Sequence, residues 1–185
     1  MKAIRRFVWI VALAVAACSS SGKYTPPAAP VPLAVEQRDR VITYAIDPAL
    51  DATAFSYECG LTGSASYDFG DALGQRVRDV FTQRYTSAVE VAPELADVVV
   101  RLRGVLLRFH GKQEVITYHI SYTVHVHLDL VWSDKATQTL SPSGNASDDV
   151  FRSFFDVCGS GAEMIGRLTP DLLDNLAKSL VVRLD

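Results

Sequence analysis

Residues 125–129 read HVHLD, inside the longer run TYHISYTVHVHLDLVW at 117–132, so metal-binding and proton-carrying side chains fall at every second position. On an extended chain, His125 and His127 project to the same side, about 7 Å apart along the strand. With Asp129 they have the donor types of a zinc site, which needs a further ligand and an acceptor that orients each ring. His119 stands too far along the same run to join them. The same spacing also has a plainer origin. Tyr118, Ile120, Tyr122, Val124, Val126, Leu128, Leu130 and Trp132 share one face of a strand, and His119, Ser121, Thr123, His125, His127 and Asp129 share the other. That is a half-buried antiparallel strand whose polar side meets water or a partner.

The preceding segment, ADVVVRLRGVLLRFH at 96–110, reads as a second long strand, joined to the first across HGKQEV as a hairpin. Arg101 and Arg103 share a face, but Arg108 and His110 have the opposite parity, and Gly104 sits where the alternation slips, which predicts a bulge. If residue 110 pairs with 115, Arg101 and Arg103 fall near 124 and 122. A one-residue slip then brings both arginines onto the histidine face. Arg101, Arg103, His119, His125 and His127 would form a cationic surface for a ligand or partner, with arginine holding phosphate or carboxylate bidentately.

Catalytic patterns are absent: there is no GxSxG elbow, HExxH, P-loop or dinucleotide fingerprint. Ser121 beside the histidines makes no dyad, because neighbours on one strand face seldom converge. The chain reads as a binding protein rather than an enzyme, with no cofactor beyond a covalent lipid.

That lipid is expected from the N-terminus. Lys2, Arg5 and Arg6 precede eleven apolar residues, Phe7 to Ala17, too short a run for a mature membrane-spanning helix. Val15-Ala16-Ala17-Cys18 resembles the bacterial lipoprotein processing box. The resemblance implies removal of residues 1–17, acylation of Cys18 and, with Ser rather than Asp at position 19, transfer to the outer membrane, facing the periplasm. Several acyl chains, at about 0.8 kcal/mol per buried CH₂, anchor stably. Residues 18–37, with Pro26, Pro27, Pro30 and Pro32, read as a lipidated spacer reaching up to roughly 50 Å as polyproline II.

Removing residues 1–17 takes three of the 18 Lys/Arg and none of the 21 Asp/Glu, leaving a formal charge of about −6. Nucleic acid is a poor partner for that balance. With Cys18 lipidated, Cys59 and Cys158 remain as an even pair in an oxidising compartment, which favours a disulfide.

The elements that position these residues are legible from periodicity. RVITYAID opens the folded part as a strand ended by Asp47-Pro48. Residues 49–67 read as a polar connection. Phe69, Leu73, Val77, Val80, Phe81 and Tyr85 make one stripe of a helix, with Asp68 as N-cap and Gly70 and Gly74 weakening it. A short strand is expected at VEVA, and an edge strand around 137–147. Thr169-Pro170-Asp171 predicts the start of a last helix, whose stripe is Leu172, Leu173, Leu176, Leu180 and Leu184, with Ala162 to Arg167 as a separate turn of helix before it. Residues 38–185 are thus expected to be a single α+β domain: a two-layer sandwich of an antiparallel sheet on two amphipathic helices.

In its processing box and element order the chain resembles small outer-membrane lipoproteins that assist envelope assembly or transport, such as the lipopolysaccharide-assembly lipoprotein and transport-auxiliary lipoproteins. The resemblance implies a membrane-anchored accessory protein that binds an envelope protein, or an anionic lipid or glycan. A periplasmic metal-binding protein using His125 and His127, and a subunit of a homo-oligomeric lipoprotein ring, are the alternatives.

Overall fold

The structure, a computed structural model, describes residues 19–23, 32–33, 35–58, 64–113, 117–151 and 157–184. In chain order the elements are β1 (Ser19–Lys23), β2 (Arg38–Ile46), α1 (Pro48–Asp51), β3 (Ala54–Glu58), β4 (Ser64–Asp68), α2 (Gly70–Arg84), β5 (Tyr85–Glu90), β6 (Val98–Gln113), β7 (Thr117–Trp132), β8 (Thr137–Leu140), β9 (Ser143–Phe151) and α3 (Val157–Arg183). The architecture is α+β, as the patterning predicts. The large sheet has the order β5-β2-β6-β7-β8, with β9 also on β7, and a small sheet has the order β1-β4-β3.

The large sheet is mixed rather than wholly antiparallel, because β5 and β6 both run parallel to β2. Strand β2 returns to its own sheet only after α2, and such a crossover delivers a parallel neighbour. β8 and β9 divide the far edge of β7 between them, β8 against Leu128–Val131 and β9 against Thr117–His125. Ser141-Pro142 separates them. Pro142 has no N–H for the ladder, but its carbonyl still accepts from Val126 N at 2.9–3.0 Å spacing typical of the ladder, here 3.0 Å.

The core lies between one face of this sheet and the two long helices. Val124, Val126, Leu128 and Leu130 of β7 are wholly buried, as are Leu73, Val77, Val80 and Phe81 of α2 and Leu168, Leu172, Leu176 and Leu180 of α3. Each such side chain contributes about 1.5–3 kcal/mol by leaving water. Tyr44 of β2 stacks on Phe81 with ring centroids 4.3 Å apart, and the Tyr85 hydroxyl donates to Leu184 O at 3.2 Å. Buried Arg76 reaches from α2 to Leu173 O and to Asp174, which ties the helices together.

Several sequence expectations change. Residues 49–67 are not a plain connection: α1, β3 and β4 occupy much of it, with Asp47 Oδ1 capping α1 through Ala49 N. AFSYE and SASYD are short strands of small and aromatic residues, with too little apolar alternation to stand out. The strand expected at VEVA lies earlier, at Tyr85–Glu90, and α2 stops at Arg84. Asp68 accepts from Gly70 N at 3.2 Å, one residue before the geometric cap, Phe69.

The largest correction concerns Pro170, which lies inside α3 rather than at a helix start. Met164, Ile165 and Leu168 are buried on the same stripe as Leu172 and Leu173, so packing carries the helix across the missing N–H. The Thr169 hydroxyl turns back to Ile165 O at 2.7 Å instead of capping forward. The stretch expected to be a spacer is also partly structured. Ser19–Lys23 pairs in parallel with β4, Leu33 N donates to Gln83 Oε1 at 2.7 Å, and Gln37 Nε2 donates to Tyr85 O.

Two electrostatic joints fix the edges. Arg78 forks onto Asp51 at 2.9 and 3.1 Å and onto Glu90 at 2.9 Å, tying α1, α2 and β5. These carboxylates push its pKa further up, Asp51 most. Gly74 makes the room, since a Cβ there would lie 1.6 Å from Asp51 Oδ1. Asp97, just before β6, accepts from Thr43 N and Thr43 Oγ1, both at 2.8 Å, and these hydrogen bonds hold its carboxyl below the ordinary carboxylate range.

Candidate functional site

The face of β7 turned away from the helices carries the residues singled out in the sequence. Cross-strand pairing places Arg101 opposite Asp129, and the register then slips between Leu102 and Gly104. After the slip, Gly104 lies opposite His127, Leu106 opposite His125, Arg108 opposite Thr123, His110 opposite Ser121 and Lys112 opposite His119. One bulge therefore puts Arg101 before it, and Arg108, His110 and Lys112 after it, on the same side as all four histidines of the chain.

The hairpin register differs from the expected one. Residue 110 pairs with 121 rather than 115, because the strands continue to Gln113 and Thr117. Arg101 consequently lies beside Asp129, not near residue 124.

Arg103, the extra residue of the bulge, places Nε 3.5 Å from Asp129 Oδ2, while Thr139 Oγ1 donates to Asp129 Oδ1 at 2.8 Å. His127 Nδ1 is 2.8 Å from Ser141 Oγ, and the rings of His125 and His127 lie nearly parallel with centroids 6.3 Å apart. Arg103, Gly104, His127 and Thr139 surround a shallow depression of about 260 Å³. A second, of about 360 Å³, begins at the same Thr139 and is rimmed by Lys178 and Arg183. Gly104 opens the first: a Cβ built there meets nothing within 4 Å.

The metal arrangement is not assembled. Asp129 is taken up by Arg103 and Thr139, and among the described residues no three His, Cys, Asp or Glu side chains gather as they would around a metal ion. What the face offers is mainly donors: the guanidiniums of Arg101, Arg103 and Arg108, the Lys112 ammonium and the imidazoles, with two acids in register beside them, Asp129 opposite Arg101 and Asp149 of β9 opposite His119. Guanidinium and ammonium groups are donors of the kind that pair with carboxylate or phosphate.

Sequence reading finds Arg101, Arg103, His119, His125 and His127 for this face, and passes over Arg108, His110, Lys112, Thr139 and Ser141. The parity change around Gly104 is the signal that places Arg108 and His110. Thr139 and Ser141 come from β8 and its turn, which no local pattern registers against β7. Cys18 and Cys59 lie outside the described residues, as does the side chain of Cys158 in the first turn of α3, so the lipidation site and the expected disulfide fall there too. Among the described residues, no helix is long and apolar enough to cross a membrane.

No protein-family model and no curated protein matches the sequence. Among solved structures, the chain is similar to a minor lipoprotein from Acinetobacter baumannii, at 9% identity and a TM-score of 0.44 over 76% of this chain and 93% of that one. It is also similar to rare lipoprotein B from Shewanella oneidensis, at 14% identity and a TM-score of 0.40 over 60% and 85% of the two chains. A protein from Xanthomonas campestris covers 90% of this chain and 96% of its own, at 12% identity and a TM-score of 0.38. Likeness at this level transfers no residue roles.

Proposed function

We propose that this is a lipid-anchored accessory protein of the bacterial envelope, held through Cys18 at the periplasmic side of the outer membrane, which acts by binding an anionic partner protein rather than by catalysis. The anchor rests on Val15-Ala16-Ala17-Cys18 and Ser19 behind the apolar leader. The binding role rests on a single observation: the bulge at Arg103 gathers Arg101, Arg108, His110 and Lys112 with His119, His125 and His127 on the exposed sheet face. In a chain of negative net charge, a sheet face where Arg101, Arg103, Arg108 and Lys112 outnumber the acids supports a complementary acidic partner.

The test is made in intact cells. A photo-crosslinking residue at position 106, on this face, should give a discrete protein adduct that disappears with Arg101→Glu/Arg103→Glu and with Cys18→Ala, while Cys18→Ala alone also abolishes palmitate labelling. An adduct indifferent to charge reversal would overturn the binding face. Palmitate incorporation that persists without Cys18 would overturn the anchor. Co-purification of an anionic lipid, lost on the same charge reversal and with no protein adduct, would replace the protein partner with a lipid.

A further inference from the structure

Strand β6 has two edges, and among the described residues only one is paired along its length. β7 pairs along its whole length from Val98 to Gln113, but β2 reaches the other edge only through Tyr44–Val98, Ala45–Val99 and Ile46–Val100. Asp47 N adds one bond, to Val100 O at 2.9 Å. Among the described residues, no strand pairs with that edge from Arg101 to Gln113. At about 3.3 Å per residue the open stretch is roughly 40 Å long, and alternate residues along it direct N–H and C=O outward.

The charged side chains of β6 itself are of one sign. VVVRLRGVLLRFHGKQ carries Arg101, Arg103, Arg108, His110 and Lys112 and no acidic residue. After the bulge the cations lie on the exposed face, whereas Val105 and Leu107 lie on the other and pack against the core. A strand added here must present its side chains alternately to these two faces. Its inward positions would extend an apolar layer, and its outward ones would meet guanidinium, ammonium and imidazole. A second copy of β6 brings the same cations into register and is repelled, since like charges directly opposite each other on a sheet are destabilising.

We infer that the open edge of β6 receives an extended acidic segment of the partner protein by strand addition, with Asp or Glu alternating with β-branched or other apolar residues. This rests on the cationic-face reading above and narrows it: the partner's backbone, as well as its charge, is recognised. Main-chain hydrogen bonds supply the affinity, and Arg108 and Lys112 select acid and set the register.

The experiment titrates fluorescent nonapeptides with the purified full-length protein in detergent and follows anisotropy. One peptide alternates Glu and Val, a second alternates Lys and Val, and a third repeats the first with every backbone nitrogen methylated. The Glu–Val peptide should bind in a salt-sensitive manner, with methylation, the change to Lys and the double variant Arg108→Glu/Lys112→Glu each weakening it by about tenfold or more. Equal binding of the methylated peptide overturns strand addition but leaves the cationic face standing. No binding of either Glu peptide at about 1 mM overturns both. Concentration-dependent dimerisation that competes with the peptide and is lost in the double variant gives the edge to a second copy, which also overturns the inference. The peptide comparison on the unmodified protein decides the matter even if the double variant does not fold.

Discussion

Arg103 of the β6 bulge and Asp129 of β7 face each other with Nε and Oδ2 3.5 Å apart, so an acid among these cations is held by the residue that breaks the register. Asp129 also takes the Thr139 hydroxyl, which leaves it facing the sheet rather than an incoming ligand. The Arg103 side chain is 60% exposed, so the pair is screened and contributes under about 1 kcal/mol to stability.

Replacement of Asp129 therefore separates folding from binding. Asp129→Asn should move the melting temperature by no more than a few degrees. It should also tighten the Glu–Val peptide several-fold at low salt, because Arg103 is released and a repelling charge is gone. Calorimetric melts and anisotropy on one preparation check both.

Two glycines should respond oppositely to the same change. Gly74→Ala puts a methyl where Asp51 Oδ1 now lies and displaces the carboxylate that holds Arg78, at an expected cost of about 1–3 kcal/mol despite alanine's better helix propensity. Gly104→Ala meets open space and should stay within about 0.5 kcal/mol. Urea unfolding of the two variants side by side measures the contrast.

Pro170 gives a test with a definite sign. Inside a continuous α3 it forfeits a backbone hydrogen bond, so Pro170→Ala should stabilise, by up to about 3 kcal/mol. Were Pro170 at a helix start, its fixed φ would be favourable and alanine would be neutral or worse. Denaturant midpoints of the two proteins distinguish these geometries.

Acid should loosen the junction between β2 and β6 through Asp97. Its folded pKa lies below the unfolded value of about 3.9, so its contribution is complete above about pH 4 and disappears as pH falls through the folded pKa. Asp97→Asn should cost about 1 kcal/mol at pH 6 and nothing further below the folded pKa, where the wild-type carboxyl is itself protonated. Stability measured by urea from pH 6 to pH 2 should show the two curves converging at the acid end.

Periodicity carried the reading where burial is one-sided. Ile120 to Leu130 on β7 and Phe69 to Phe81 on α2 and its entry are legible because every second or every third to fourth residue leaves water. It failed where the decisive partner is distant in the chain. Pro170 looks like a helix start from Thr169 and Asp171 alone, and only the buried Met164, Ile165 and Leu168 show that the preceding turns pack as well. The sheet face was legible in part for the same reason: alternation orders His125 and His127, whereas the pairing of Arg101 with Asp129 depends on how far the hairpin runs before it turns.

The placement of β1 bears on how the chain would meet its membrane. Ser19 to Lys23 pair residue by residue with Ser64 to Asp68, and Lys23 closes the strand with an ion pair to Asp71. With acyl chains on Cys18, one residue upstream, a pull from the bilayer would run lengthwise along β1 and strain its ladder in shear, with the bonds resisting together rather than one at a time. Such an anchor would behave as a stem and not as a leash: the domain would follow the bilayer surface closely, and a partner would have to come to it at a nearly fixed height.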